Sequence, residues 1–237
     1  MKIGIISDIH GNDIALEEAL FILQKKIKVA DIYFLGDAVG YLPEGNQVIN
    51  RLRAEKVNFL MGNHEAMLLG HLPLPEEPEK MYRLTEARLN ISKVNKEFLQ
   101  TLQSSKNVLI KEQKLLLVHG SPENPLNGYV YPDTDLSGMY TGMNKYIFMG
   151  HTHRPFIKEN EGVTLVNVGS CGLPRDAGDL ASFAVLDLLT EHVNVYRFAL
   201  NIEKIIKQYG SFIHPDVIAC FKRPYDKNTI CGEILTD

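Results

Sequence analysis

The sequence predicts an α/β fold with a parallel core, and three observations carry that prediction. Short isoleucine- and leucine-rich runs alternate with segments of helical period over the first 61 residues. Small polar clusters containing His, Asp or Asn stand directly after five of the apolar runs. Neither an internal repeat nor a low-complexity segment breaks the pattern.

Residues 2–7 form an isoleucine-rich run, the signal of a buried strand. Residues 13–26 place Ile14, Leu16, Ala19, Leu20 and Leu23 at helical spacing. Residues 31–35 are the next strand. Residues 43–55 read as a helix with Pro43 in its first turn and Val48, Ile49 and Leu52 inside. Residues 57–61 are a third strand, and the strand–helix–strand–helix–strand order implies parallel pairing. Residues 63–71 continue as a short helix, and a proline-punctuated connection runs from Leu72 to Pro78. Residues 85–102 carry Leu89, Ile91, Val94, Phe98 and Leu102 at helical spacing and are expected to cover one side of the polar clusters.

Residues 107–111 and 114–118 look like a hairpin around Glu112-Gln113. Residues 121–137 contain Pro122, Pro125, Gly128 and Pro132 and read as a long loop, a kind of segment that is often functional. Strands are expected at 145–149, 164–168, 182–187 and 192–198, the last two antiparallel. Residues 201–209 are a terminal helix. The tail contains Pro215 and Pro224 and is left unassigned, either packing across the domain or contacting a partner subunit. The expected organisation is one domain over 1–237, with a helical insertion at about 72–105 and a C-terminal tail at about 210–237.

Composition excludes several classes. With 45% apolar and 23% charged residues the chain is globular. No apolar stretch approaches the roughly 20 residues needed to cross a bilayer. The N-terminal apolar run is too short for a signal peptide and ends in a charge. Cys171, Cys220 and Cys231 show no paired spacing, which suggests reduced thiols and a cytoplasmic setting. A net charge of −4 without a basic run argues against broad nucleic-acid binding but not against a small phosphorylated substrate.

The chemistry concentrates in Asp8-Ile9-His10, Gly36-Asp37, Gly62-Asn63-His64-Glu65, His119-Gly120 and Gly150-His151-Thr152-His153. Loops at the carboxyl ends of strands form the ligand crevice of open α/β sheets. Imidazole, carboxylate and amide donors suit first-row dications, and the absence of thiolates disfavours a structural zinc site. Asp8 and His10 are two residues apart, as are His151 and His153, so in extended backbone each pair points to one side. The flanking glycines allow tight turns. His71, His192 and His214 lack this context and are read as packing or surface residues.

These five motifs, in this order, resemble the calcineurin-like metallophosphoesterases over roughly residues 1–200. The segments Gly169 to Asp176 and His119 to Leu126 look like the small bacterial and archaeal phosphodiesterase branch. The resemblance implies a four-layer α/β/β/α sandwich of two mixed sheets, with a dinuclear metal site at the carboxyl ends of the strands. It implies one ion on Asp8, His10, Asp37 and His153 and a second on Asp37, Asn63, His119 and His151, with Asp37 bridging. His64 would touch the phosphate and protonate the leaving oxygen, or else act as a spacer holding Asn63. Manganese is the expected metal, with iron, zinc or nickel as alternatives.

Such a site suits phosphate chemistry. Two dications bring four positive charges, and Asp8, Asp37 and a bridging hydroxide remove three, leaving about one to attract an anion. Metal binding lowers the pKa of water from about 15.7 toward roughly 7, so a nucleophile exists at neutral pH. Asn12 either donates to the phosphate or N-caps the following helix. Arg175 is assigned either to a substrate anion or to a surface salt bridge. In the protein serine/threonine phosphatases an Asp and then an Arg follow the bridging Asp at the third and fourth places. Here these are Gly40 and Tyr41, which disfavours that branch and leaves His64 without an identified orienting partner. The expected activity is hydrolysis of a small, nucleotide-like phosphodiester by a metal-bridging hydroxide. The alternatives are a phosphomonoesterase, a dinucleoside polyphosphate hydrolase, or a partner-binding scaffold. A scaffold should have lost a ligand or the histidine, and here none is missing. Oligomeric state stays open, and no membrane partner is expected.

Overall fold

The computed structural model describes residues 1–74, 79–138 and 142–236. The chain opens with β1 (Lys2–Ile6), α1 (Asp13–Phe21), β2 (Asp31–Phe34), α2 (Gly45–Ala54) and β3 (Asn58–Phe59). As the alternation predicts, these strands pair in parallel, Ile3 opposite Asp31 and Tyr33 opposite Asn58. Four short helices follow: α3 (Asn63–Leu69), α4 (Glu79–Tyr82), α5 (Leu84–Asn90) and α6 (Lys93–Leu99). Then come β4 (Ser105–Ile110), β5 (Gln113–Val118), β6 (Tyr146–Met149), β7 (Phe156–Asn160), β8 (Val163–Asn167), β9 (Leu180–Asp187) and β10 (His192–Ala199). The chain ends with α7 (Ile202–Tyr209), α8 (Pro215–Phe221) and β11 (Glu233–Ile234).

Both sheets are mixed. The first has the order β11-β10-β9-β1-β2-β3 and the second β4-β5-β6-β8-β7. Side-chain alternation divides the core into layers. Ile3 and Ile5 of β1 and Ala184 and Leu186 of β9 face the second sheet, meeting Leu115, Leu117 and Phe148. Ile6, Phe183 and Val185 face the other way, onto the helices. Strands buried on both faces read as continuous apolar runs, which is why β1 and β9 were legible. All eight helices contribute to the core on the outer side of the first sheet. The two mixed sheets and the helices are those of the expected α/β sandwich, the second sheet lying farther from these helices. Among the described residues its outer face is covered by the 121–137 loop, which inserts Val130 and Leu136 beside Val118, Ile147 and Met149.

Several boundaries differ from expectation for local reasons. The helix expected at 13–26 is α1 followed by a π-helical turn, Ile22–Ile27, which ends where Lys28 turns left-handed. Pro43 lies outside α2, whose N-cap is Glu44. The segment 85–102 is two helices, because Ile91 is extended and the Ser92 hydroxyl accepts from Asn95 N to start α6. Its cover of the polar clusters is also corrected: the helical residue that reaches them is Tyr82, just upstream. The β4–β5 turn is Lys111-Glu112, both at positive φ, one residue earlier than expected. β7, α8 and β11 were not anticipated. Pro215, in the tail left unassigned, starts α8. Of the proline-punctuated connection, residues 75–78 lie outside the described residues, as does Asp237 of the tail. Among the described residues no helix is long and apolar enough to cross a membrane. The three cysteines are unpaired.

The tail is fixed to the sheet by a buried cation. Arg197 of β10 is fully buried and donates to both oxygens of Asp176 (2.6 and 3.0 Å), to Leu180 O (2.6 Å) and to Cys231 O (3.3 Å). Removing one partner of a buried pair leaves the other charge uncompensated. Arg197→Ala is therefore expected to lower the free energy of unfolding by about 3 kcal/mol, read from urea denaturation. An unchanged midpoint would show that Asp176 finds water at no cost.

Candidate active site

Each polar cluster follows the carboxyl end of a strand. Asp8 and His10 follow β1, and Asp37 follows β2. Asn63 and His64 open α3 just after β3. His119 follows β5, and His151 and His153 follow β6. β1 to β3 are neighbours in one sheet and β5 and β6 in the other. Bonds such as His151 N to Asp8 Oδ2 (3.0 Å) join the two sets of loops.

Convergence through extended backbone, expected for the paired ligands, is not what occurs. Asp8 (φ 55°), His10 (53°), Asp37 (65°), His151 (64°) and His153 (58°) are all left-handed. For non-glycine residues this costs roughly 1–2 kcal/mol each. Residues held in such conformations cluster at functional sites, where surrounding bonds over-determine them. Here Asp8 N donates to Gly36 O (3.0 Å), His10 N to Asp37 O (2.9 Å) and Gly11 N to Ala38 O (2.8 Å). Gly36, at φ 115°, makes the turn between β2 and Asp37, and a Cβ there would lie 2.3 Å from Gly62 N.

The donor atoms crowd one another. His10 Nε2 lies 3.1 Å from His153 Nε2 and 3.7 Å from Asp37 Oδ2. His153 Nε2 lies 3.1 Å from Asp8 Oδ1. His119 Nε2 lies 2.9 Å from Asn63 Oδ1, 3.2 Å from His151 Nδ1 and 3.4 Å from Asp37 Oδ2. His10 Nδ1 faces Val39 O (3.1 Å) and His153 Nδ1 faces Leu173 O (2.5 Å). A carbonyl only accepts, so both Nδ1 atoms carry the proton and both Nε2 atoms present lone pairs. Two lone pairs and a buried carboxylate oxygen thus face one another at 3.1 to 3.7 Å, a spacing that suits ligands around a shared cation. Asp8 Oδ1 has no hydrogen-bond partner. Asp8, His10 and His153 form one group with the geometry to hold a metal ion, and Asp37, His119 and His151 another. His10, Asp37 and His64 satisfy the same criterion. The residues present fit divalent cations.

Electrostatics agree with that fit. Burial alone would raise the Asp8 carboxyl, but His153, His119 and His10 hold it well below the ordinary range. Asp37 is likewise held far down against burial by His119 and His64. Burial lowers His151 to about 3 and His153 to about 4, so both are neutral donors. His119 is the exception. Burial opposes its charge, yet Asp37 and Asp8 draw it up to about 9, so a proton occupies the place a cation would take.

Two residues that sequence reasoning missed hold this arrangement. Glu65, fully buried, accepts from four backbone N–H groups: Asp37 (2.7 Å), Ala38 (2.8 Å), Val39 (3.3 Å) and Gly62 (2.9 Å). It clamps the Asp37 loop to the start of α3. Its signal in the sequence was a Glu three places after Gly62, the spacing of a helix-capping residue. Burial and the Asp37 charge raise Glu65 to about 7, against the pull of the N–H donors. Tyr41 is buried with its ring edge-on to His10 (4.7 Å) and parallel to His64 (5.3 Å, 18°). The sequence reading met it only as a departure from the phosphatase pattern and gave it no role.

The remaining candidates separate clearly. His64 Nε2 lies 3.9 Å from Asp37 Oδ2, and its Nδ1 is buried without a hydrogen bond. A Cβ on Gly40 would lie 2.3 Å from that Nδ1. The ring is therefore held by packing between Tyr41 and Tyr82 (5.1 Å) and not by a carboxylate. Arg175 is half-buried in the cleft wall and donates from Nη2 to the Tyr41 hydroxyl (2.6 Å). Among the described residues it pairs with no carboxylate, so the surface salt bridge is not formed. Asn12 is corrected to a structural residue. Fully buried, it caps α1 through Ala15 N (3.2 Å) and donates to Gly172 O (2.8 Å), away from the cleft. His71 and His192 are exposed, and His214 caps α8.

The Glu65 clamp is open to test. Glu65→Gln places an amide N–H against backbone donors. It is expected to cost about 2–3 kcal/mol in unfolding free energy and about tenfold in manganese affinity. Unchanged values in both would show that the Asp37 loop holds itself.

The comparisons with known proteins meet this geometry. The model of the calcineurin-like phosphoesterase superfamily domain matches residues 1–191. The uncharacterized protein MJ0912 of Methanocaldococcus jannaschii is 30% identical over 227 residues, covering 86% of this chain and 92% of its own. The crystal structure of a metallophosphoesterase from Sphaerobacter thermophilus superposes with a TM-score of 0.72 at 24% identity, covering 94% of this chain and 98% of its own. The structure of protein PH1004 from Pyrococcus horikoshii OT3 gives 0.77 at 22%, covering 93% and 97%. With the family's strand-end motifs gathered into one cation-binding cluster, the chain belongs to the calcineurin-like phosphoesterase superfamily and is a metal-dependent phosphoesterase.

Proposed function

We propose that the chain hydrolyses a small phosphodiester at a dinuclear centre, manganese being the preferred metal. Asp8, His10, Asp37 and His153 would hold one ion, and Asp37, Asn63, His119 and His151 the other. The observation that carries the reading is Asp37 Oδ2, which lies 3.7 Å from His10 Nε2 of one group and 3.4 Å from His119 Nε2 of the other. When bound, the ions would supply a water activated near neutral pH and positive charge for phosphate oxygens.

The chain's own residues supply the rest. The lining of the cleft beside the cluster contains one guanidinium, Arg175, and no lysine. Arg175 would take a phosphate oxygen as a charge-assisted donor, oriented by the Tyr41 hydroxyl. A single cationic side chain suits the single negative charge of a diester better than the double charge of a monoester. Tyr41, Tyr82 and Tyr129 also line this cleft. His64 would contact the phosphate and deliver a proton to the leaving oxygen. In the free cleft burial lowers His64 to about 3, so the imidazole is neutral at pH 7. An arriving phosphate anion is the added negative charge that favours its protonation.

The experiment is chelation, metal add-back and a panel of bis-nitrophenyl phosphate, nitrophenyl phosphate, cyclic nucleotides and dinucleoside polyphosphates. The expected outcome is no turnover without metal, recovery with manganese, and faster diester than monoester hydrolysis. Full activity after chelation would overturn the reading, and a monoester preference would favour a phosphomonoesterase. In the same panel His64→Ala should retain metal but lose about 10²–10⁴-fold in kcat, least for esters of acidic phenols. Equal loss on every leaving group would remove the proton-donor role.

A further inference from the structure

The loop between β5 and β6 carries a pair of aromatic rings that stay exposed. Tyr129 is 55% exposed and Tyr131 39% exposed, and their rings stack at 6.0 Å and 13°. Tyr129 also lines the cleft, its ring 4.2 Å from that of His151. Among the described residues no cationic side chain stands over either ring, whereas Arg175 stands over Tyr41.

The pair is held in place. Val130, between the two tyrosines, is buried in the outer core of the second sheet, as is Leu136. Tyr131 N donates to the Thr134 hydroxyl (2.8 Å), and Asn160 of β7 donates to Leu136 O (2.7 Å). At the loop's start, Gly120 N donates to Pro125 O (2.7 Å) and Gly128 N to Asn124 O (2.9 Å). A loop without regular structure thus presents two fixed, outward aromatic rings beside a candidate metal ligand. A flat surface prepared in advance lowers the ordering cost of binding.

We infer that Tyr129, backed by Tyr131, is a stacking platform for a nucleobase, so that the substrate is a nucleoside phosphodiester. The inference rests on the proposed phosphodiesterase reading and names its substrate class. Tyr129 packs on His151, which groups with His119 and Asp37, whereas His64 groups with His10 and Asp37. His64 serves the leaving oxygen, so the platform serves the ester group that stays on the phosphate. Stacking uses the π-face common to all bases and is tolerant of base identity.

The test uses two esters with the same leaving group, thymidine 5′-(p-nitrophenyl phosphate) and methyl p-nitrophenyl phosphate, on the metal-loaded full chain. Tyr129→Ala is expected to lower kcat/KM for the thymidine ester by about 5- to 100-fold. The methyl ester, which offers no base to stack, should fall by clearly less than the thymidine ester, and Tyr129→Phe should restore the thymidine ester. Replacing thymidine by adenosine should leave the pattern intact. An equal fall on both esters, or no fall on either, would overturn the inference while leaving the diesterase reading standing. If the wild type turned over neither ester, the diesterase reading would fail and this inference with it.

Discussion

The structure depends on unscreened lone pairs forced together in a dry place. His10 Nε2 and His153 Nε2 face each other at 3.1 Å, and the Val39 and Leu173 carbonyls hold both protons on the far nitrogens. Asp8 Oδ1, buried and without a hydrogen bond, completes the contact. Such an arrangement is unfavourable without positive charge, since burial strengthens repulsion as well as attraction. The protein holds the atoms there by fixing five of the proposed ligand residues in left-handed backbone and tying their loops across the gap between sheets. A cation turns the same contacts favourable. A bound cation would add to the stability of the fold, and the sandwich fixes the loops that would carry it.

Positioning falls to Glu65, Gly40 and Tyr41. Glu65 gathers four N–H donors from two loops and so sets the distance between Asp37 and Asn63. Gly40 leaves room for the His64 ring, where any side chain would strike Nδ1. Tyr41 then fills the space a longer polar group would occupy, stacking on His64 and receiving Arg175. Arg175 comes from the segment after β8, far along the chain, which is how a cleft lacking a cation at position 41 still contains one.

What the sequence disclosed follows from what leaves a local mark. Strands buried on both faces, β1 and β9, write continuous apolar runs. The polar clusters at strand ends stood out because charge and imidazole interrupted those runs. β7 escaped because, as an edge strand, it buries only Phe156 fully. α8 escaped because its proline is a starter and not a breaker. The left-handed turns at Asp8 and His151 have no signature in residue type, so the spacing argument found the right partners by the wrong geometry. The roles of Tyr41 and Tyr129 were invisible because their neighbours are brought by tertiary packing alone. Asn12 shows the reverse: its capping role was a local property, and the structure keeps it there.

The most direct test of the cation cage is anomalous scattering from crystals soaked in manganese. The account predicts two peaks about 3.5–4 Å apart, one among Asp8, His10 and His153, the other among Asn63, His119 and His151, with Asp37 between them. Absence of anomalous density between Asp8 and His119, with the imidazoles drawn apart and water in the gap, would contradict it.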